Sequence, residues 1–192
     1  MRKISMLFVL LLIATSSLMA QGKKRTGFRI GANYAFQRIE DEREKSSSDF
    51  KTGLSVGLFQ EIPLTAGIMF MPELSFNRMG GKKDDVSSRL DYISLPLLFK
   101  FHGKHVGFYA GPQMSLLIKA LEKAPFDVEN DVKDNYKSVD VSAVVGTDYS
   151  FAANRFVISL RYLLGVNEVT KNAGAGNSIH NHGVQLTAGF RF

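Results

Sequence analysis

The chain has 192 residues, a formal net charge of +6 and no cysteine. The length suits a single domain, and without cysteine there is neither a disulfide framework nor a lipidated N-terminal cysteine. The charges are spread along the chain, with no basic stripe of interleaved aromatic residues. We therefore do not expect a nucleic acid partner.

The N-terminal segment is typical of a secretory signal peptide. Arg2 and Lys3 precede an almost wholly apolar run over residues 4–14, and Ala20 offers a small residue for cleavage. The apolar run is shorter than the roughly 20 residues that a membrane-spanning helix needs. We expect a signal peptide at 1–20 and one domain at 21–192, with a net charge of +4 once Arg2 and Lys3 are removed.

From about residue 27 onward, apolar and polar residues alternate in eight segments. In the last segment one face carries Val184, Leu186, Ala188, Phe190 and Phe192, and the other carries Gln185, Thr187, Gly189 and Arg191. Strict alternation indicates a β-strand with two different faces. A soluble sandwich turns its apolar face inward, whereas a membrane barrel turns that face toward lipid.

The connections between these segments favour the membrane barrel. Long connections at 40–50, 79–88, 120–137 and 168–180 alternate with short ones at 61–65, 102–105 and 152–154. Outer-membrane barrels combine long external loops with short periplasmic turns. The sequence therefore predicts an all-β, eight-stranded antiparallel up-and-down transmembrane β-barrel in the outer membrane of a Gram-negative bacterium. Both ends of the mature chain are expected on the periplasmic side.

Two further features of the strands give expectations. Pro72, Pro96 and Pro112 fall inside predicted strands, where proline cannot donate to the ladder, so we expect β-bulges or local irregularity there. Aromatic residues near the strand ends are candidates for the two interfacial girdles of such barrels. These are Phe28, Phe36, Phe76, Phe101, Tyr149, Phe156, Tyr162 and Phe192.

Four segments resemble the PorT-like outer-membrane β-barrel proteins, small barrels of the OmpX and OmpA type. Residues 92–100 are similar to the family's Tyr-x-x-x-Pro-Leu-Leu-x-Lys strand, and residues 109–112 to the Gly-Pro strand that follows. Residues 161–165 resemble the penultimate strand, and residues 189–192 the closing strand. The resemblance implies a barrel in the outer membrane. It implies no single activity.

Seven charged residues fall on the polar face and are predicted to line the lumen: Arg29, Glu73, Lys100, Asp140, Asp148, Arg161 and Arg191. Four cations and three anions nearly balance, which favours a paired network over a selective channel. Glu73 and Arg161 lie on the third and seventh strands, which are opposite in an eight-strand ring. The two side chains could meet near the axis, or each could pair with nearer neighbours or water. The lumen of such a small barrel is expected to be filled by side chains.

No catalytic residue, cofactor or metal site is predicted. His180 and His182 could present two nitrogens on one face, but no third ligand lies nearby, so we interpret them as solvent-exposed histidines at a loop end. Ser46, Ser47 and Ser48 could approach them, because the first and eighth strands are neighbours. That arrangement would suit a lipid-modifying enzyme, although no motif supports it.

The expected function is a structural or binding role through the external loops. The expected partners are outer-membrane lipid, the outer-membrane assembly machinery, and an external ligand or protein. Phe190 and Phe192 are predicted to form the insertion signal that the assembly machinery reads. The alternatives are a lipid-modifying barrel enzyme and a narrow, porin-like channel.

Overall fold

The computed structural model describes residues 24–40, 45–83, 86–123, 130–171 and 178–192, and within them it contains eleven β-strands and one short 3-10 helix. The strands are β1 Arg25–Glu40, β2 Lys45–Ser47, β3 Asp49–Pro63, β4 Ile68–Met79, β5 Gly81–Lys83, β6 Val86–His102, β7 Val106–Lys123, β8 Asn130–Asp131, β9 Val139–Phe151, β10 Phe156–Gly165 and β11 Ser178–Arg191. The 3-10 helix is Lys133–Asn135. No helix in this part of the chain is long and apolar enough to span a membrane.

Eight long strands form a closed antiparallel barrel, which confirms the predicted fold class. Strand β1 pairs with β3 on one side and with the last strand, β11, on the other. The ring continues from β3 through β4, β6, β7, β9 and β10 to β11. The short strands β2, β5 and β8 extend the wall at the end of the barrel opposite the two termini.

The two faces of each strand follow the alternation in the sequence. Outward-facing apolar residues are exposed, among them Ile30 at 50%, Leu58 at 59% and Phe108 at 62%, while inward-facing polar residues are buried. A row of stacked, tilted or edge-on rings surrounds the end that carries the termini, with centroids 5.2 to 6.5 Å apart. Its members are Phe28, Tyr149, Phe151, Phe156, Phe190 and Phe192. An apolar outer wall edged by aromatic rings is the surface that lipid requires.

The strands run further than the sequence pattern predicted. The connection predicted at 61–65 starts too early in the chain. Strand β3 continues to Pro63, and the turn occupies residues 64–67. The predicted loops 40–50 and 79–88 contain strands β2 and β5, and β7 continues to Lys123. Continued strand pairing gives hydrogen-bond partners to backbone N–H and C=O groups that a loop would leave to water. The barrel wall therefore extends beyond its apolar part.

Of the bulges or local irregularity predicted at the prolines, the structure has the local irregularity and not the bulges. The registers of β3–β4, β4–β6 and β7–β9 continue unchanged past Pro72, Pro96 and Pro112, and only individual pairings beside them are missing. The missing ladder bond of proline is thus absorbed by a local gap. The one register shift between β6 and β7 lies at Asp91 and Tyr92, away from every proline.

Candidate functional site in the lumen and at its outer end

The lumen contains all seven charged residues that the sequence assigned to it, each at most 3% exposed. The alternation of each strand carries every second side chain inward, away from the outer surface. Because buried charges must be paired or hydrogen-bonded, their partners describe the interior best. They form groups at three heights along the barrel.

The middle group joins opposite walls of the barrel. Arg161 on β10 donates to Glu73 on β4 through both terminal nitrogens, at 3.3 Å to Oε1 and 3.2 Å to Oε2. Arg29 on β1 adds an ion pair to Glu73 Oε2 at 3.4 Å, and Arg161 Nε donates to the Tyr109 hydroxyl at 3.3 Å. The guanidinium of Arg29 stacks over Phe59 at 4.4 Å. Of the two pairings left open by the sequence, the structure adopts the one across the axis.

The lower group, near the termini, is a charge quartet of two cations and two anions. Lys100 Nζ lies 2.7 Å from both Glu61 Oε1 and Asp148 Oδ2. Arg191 Nη2 lies 3.0 Å from Glu61 Oε1 and 3.6 Å from Asp148 Oδ2. Sequence reasoning missed Glu61 because it placed this residue in a turn beside Pro63. Continuing the inward parity of Ser55, Gly57 and Phe59 would have found it.

The upper group is mainly uncharged. Asp140 Oδ2 accepts a hydrogen bond from Asn181 Nδ2 at 2.9 Å, and the same amide donates to the Tyr92 hydroxyl at 3.1 Å. The second carboxylate oxygen of Asp140 has no hydrogen-bond partner among the described residues. Below it, Gln185 Nε2 donates to Asn77 Oδ1 at 2.9 Å. Asp140 therefore lies in the lumen without the cation that the other two groups provide.

Apolar side chains fill the space between these polar groups. One buried cluster lies inside the barrel wall: Phe59, Met71, Leu98, Tyr109, Val144, Val157 and Leu163. These residues depart from the strict polar-in pattern. Together with the paired charges they give the interior a packed core, as expected for eight strands.

A second apolar cluster covers the outer end of the lumen, and we call it the cap. It joins loop residues Tyr136 and Val169 to wall residues Ala35, Met79, Leu90, Tyr92, Leu117 and Ala120. The Tyr136 hydroxyl donates to Glu122 Oε1 at 2.9 Å, and Lys137 N donates to the Val169 carbonyl at 2.7 Å. Burial, and then the nearby Glu122 carboxylate, raise the pKa of the Tyr136 hydroxyl, so it remains a donor.

The prediction that His180 and His182 lie in solvent is wrong for His182, while His180 is half-buried. His182 is buried, stacks on Phe36 with centroids 5.4 Å apart, and its Nδ1 lies 3.1 Å from the Tyr162 hydroxyl. The prediction failed because β11 begins before this residue, at Ser178, and places it in the wall. Ser48 Oγ accepts a hydrogen bond from the Gln37 backbone at 2.8 Å. Among the described residues, no group of three or more His, Cys, Asp or Glu is placed to hold a metal ion.

A family model described as "Outer membrane protein beta-barrel domain" matches residues 19–171. The chain belongs to this family. A search of the curated proteins gave no match. This membership agrees with the barrel and with an outer-membrane location.

Solved outer-membrane barrels share the fold of this family member. Ail, the attachment invasion locus protein of Yersinia pestis, in complex with the heparin analogue sucrose octasulfate, is 16% identical with a TM-score of 0.51. The alignment covers 89% of this chain and 100% of Ail. Neisserial surface protein A is 15% identical with a TM-score of 0.54, over 86% of this chain and 97% of that chain. At such identity the likeness shows the fold alone.

Proposed function

We propose that this barrel acts through its outer surface, in a structural or binding role, and that its lumen transports nothing. The observation that carries the proposal is the packed and capped interior. The paired charges and the two apolar clusters occupy the lumen from the quartet to the cap. With the interior occupied, the surfaces that remain for function are the lipid-facing wall and the external segments.

The arrangement of charges in the lumen does not favour a narrow channel. Selective pores concentrate charges of one sign around a water-filled path. Here Glu73 lies between Arg29 and Arg161, and the quartet balances two cations with two anions. An ion entering the lumen would have to break these pairs in a medium of low dielectric constant, which costs several kcal/mol per pair broken, roughly 3–5.

Conductance in a planar bilayer tests this proposal. We expect the purified wild-type protein to give no stable single-channel steps, although the same preparation shows the gel mobility shift of a folded barrel on heating. A large porin added afterwards to the same membrane checks that insertion is detected. Reproducible steps from folded wild-type protein would overturn the proposal in favour of the porin-like alternative.

External binding is the more specific form of the proposal. The Ail structure contains a heparin analogue, which makes heparin a reasonable first probe for this chain. Cells that display the wild-type protein are compared on heparin-coated and uncoated surfaces with cells whose residues 130–138 and 172–177 are replaced by short Gly-Ser turns. Specific adhesion that the replacement abolishes supports binding through the loops. Equal adhesion of both strains excludes this class of ligand and leaves the structural role.

Two more specific proposals are that the barrel is a lipid-modifying enzyme and that it is a PorT-like protein. Among the serine and histidine residues considered for a lipid-modifying enzyme, Ser48 bonds Gln37 and His182 contacts Tyr162. Release of fatty acid from lipid A or phospholipid by the folded protein would establish the enzyme. The resemblance of residues 92–100 to PorT-like barrels is a reason to test secretion in a deletion strain.

A further inference from the structure

A cluster of charged side chains lies on the outer wall of β4, β6 and β7, just above the apolar surface. Arg78, Asp91 and Lys119 occupy one row, since Arg78 pairs with Asp91 and Asp91 with Lys119. Arg89 joins them from the next outward position of β6. We call these four residues the arginine cluster. They follow the alternation that turns Leu90 and Tyr92 inward to the cap.

A β-bulge brings Lys119 into this cluster. Asp91 pairs with Lys119 and Tyr92 pairs with Leu117, so Ile118 is the extra residue of β7. Leu117 faces the lumen, while Ile118 and Lys119 are both exposed. Bulges of this kind change the direction of one side chain relative to the regular alternation. Without it, Lys119 would face the lumen and the cap.

Asp91 holds both guanidinium groups in place. Its Oδ1 lies 2.8 Å from Arg78 Nε, and its Oδ2 lies 2.9 Å from Arg89 Nη2. The Asp91 side chain is 5% exposed, whereas those of Arg78 and Arg89 are 32% and 30% exposed. The four side chains carry a formal charge of +2, because the cluster contains three cations and one carboxylate. The carboxylate therefore orients the arginines without neutralising the cluster.

The height of the cluster indicates what this charge meets. One step below it the wall is apolar, with Ile93 37%, Leu116 48% and Ile118 46% exposed. These side chains face the hydrocarbon of the outer leaflet, so the next row outward lies at the level of the lipid headgroups. Arginine suits this position because its planar fork binds phosphate oxygens in pairs and is weakly hydrated.

We propose that the arginine cluster is a binding site for the phosphate groups of lipid A, the anchor of lipopolysaccharide in the outer leaflet. Arg89 and Lys119 contact a phosphate, while Arg78 completes the pair with Asp91 and supports the site. The acyl chains of the same molecule lie along Ile93, Leu116 and Ile118. This site faces lipid rather than the external medium, so the proposal does not depend on the proposed function.

Native mass spectrometry of the detergent-solubilised barrel, titrated with defined lipids, tests the site. The probes are bisphosphorylated lipid A, lipid A without its phosphates, and phosphatidylglycerol. The variant R89Q/K119Q removes two cations and leaves Arg78 paired with Asp91, so no buried charge is orphaned. The matched control is R155Q, which removes an exposed cation in the turn at the opposite end of the barrel.

We expect the wild-type protein and R155Q to bind bisphosphorylated lipid A at least about tenfold more tightly than R89Q/K119Q does, since charge-assisted contacts are lost. Lipid A without phosphates should bind wild type as weakly as the variant binds the complete lipid. If R89Q/K119Q does not show the gel shift of a folded barrel, K119Q alone replaces it, with an expected loss of about threefold. Binding of the complete lipid that is equal in wild type and variant overturns the proposal. So does equal binding of phosphatidylglycerol to the wild-type protein, which would mark a general anion surface.

Discussion

The contact across the lumen gives the sharpest test of how this barrel is stabilised. Replacing Glu73 with Gln removes the carboxylate that Arg29 and Arg161 share in the middle group, while keeping the side-chain volume. Both arginine side chains are only 2% exposed and would then lose the counter-charge that they share. Removing one partner of such a buried group costs about 3–5 kcal/mol, which is roughly a hundredfold or more in the unfolding equilibrium.

The matched control is E168Q, which makes the same chemical change in an exposed pair. Glu168 lies 3.2 Å from Lys137, and the two side chains are 44% and 41% exposed. Such a pair contributes at most about 1 kcal/mol. Because the chain has no tryptophan, urea unfolding in lipid vesicles is followed by far-ultraviolet circular dichroism and by the gel mobility of the folded form.

Equal losses of stability in E73Q and E168Q would refute the reasoning, because burial of the charged network would then make no difference to the free energy of unfolding. A triple variant separates charge from packing: E73L with R29M and R161M removes every charge of the group at similar volume. Replacing a buried ion network with apolar residues is often neutral or stabilising. The triple variant should therefore recover most of the stability that E73Q loses. If the triple variant loses as much stability as E73Q, the effect comes from side-chain packing and not from charge.

Three further predictions concern other parts of the barrel. Deleting Phe192 should lower the outer-membrane yield on cell fractionation, as an insertion signal requires; an unchanged yield contradicts that role. G31A should cost about 1–3 kcal/mol in urea unfolding, because its Cβ would meet the backbone of β11. G67A has open space and should stay within about 0.5 kcal/mol, and equal effects would refute the contact. D140N should leave stability unchanged or raise it, since Asp140 has no cation to lose, whereas D148N breaks two ion pairs and should cost about 3–5 kcal/mol. The reverse order would contradict the pairing.

Alternation and connection length were sufficient to predict the barrel. A strand buries one face whatever its neighbours are, so period two in a single segment already separates inward Arg29 from outward Ile30. Eight segments with short and long connections then leave few arrangements other than an up-and-down ring. The contact of Glu73 with Arg161 could be anticipated for the same reason. These residues lie on the third and seventh of the eight long strands, β4 and β10, and strand count alone places those two strands opposite each other.

Tertiary structure alone decided the pairing at the two ends and on the outer wall. The quartet around Lys100 depends on how far β3 continues before its turn, and the cap depends on Tyr136 folding back over the lumen. Lys119 faces Asp91 only because a bulge changes the register between β6 and β7. Register, bulges and loop paths arise from interactions between strands, and a pattern within one strand contains no information about how its neighbour is shifted.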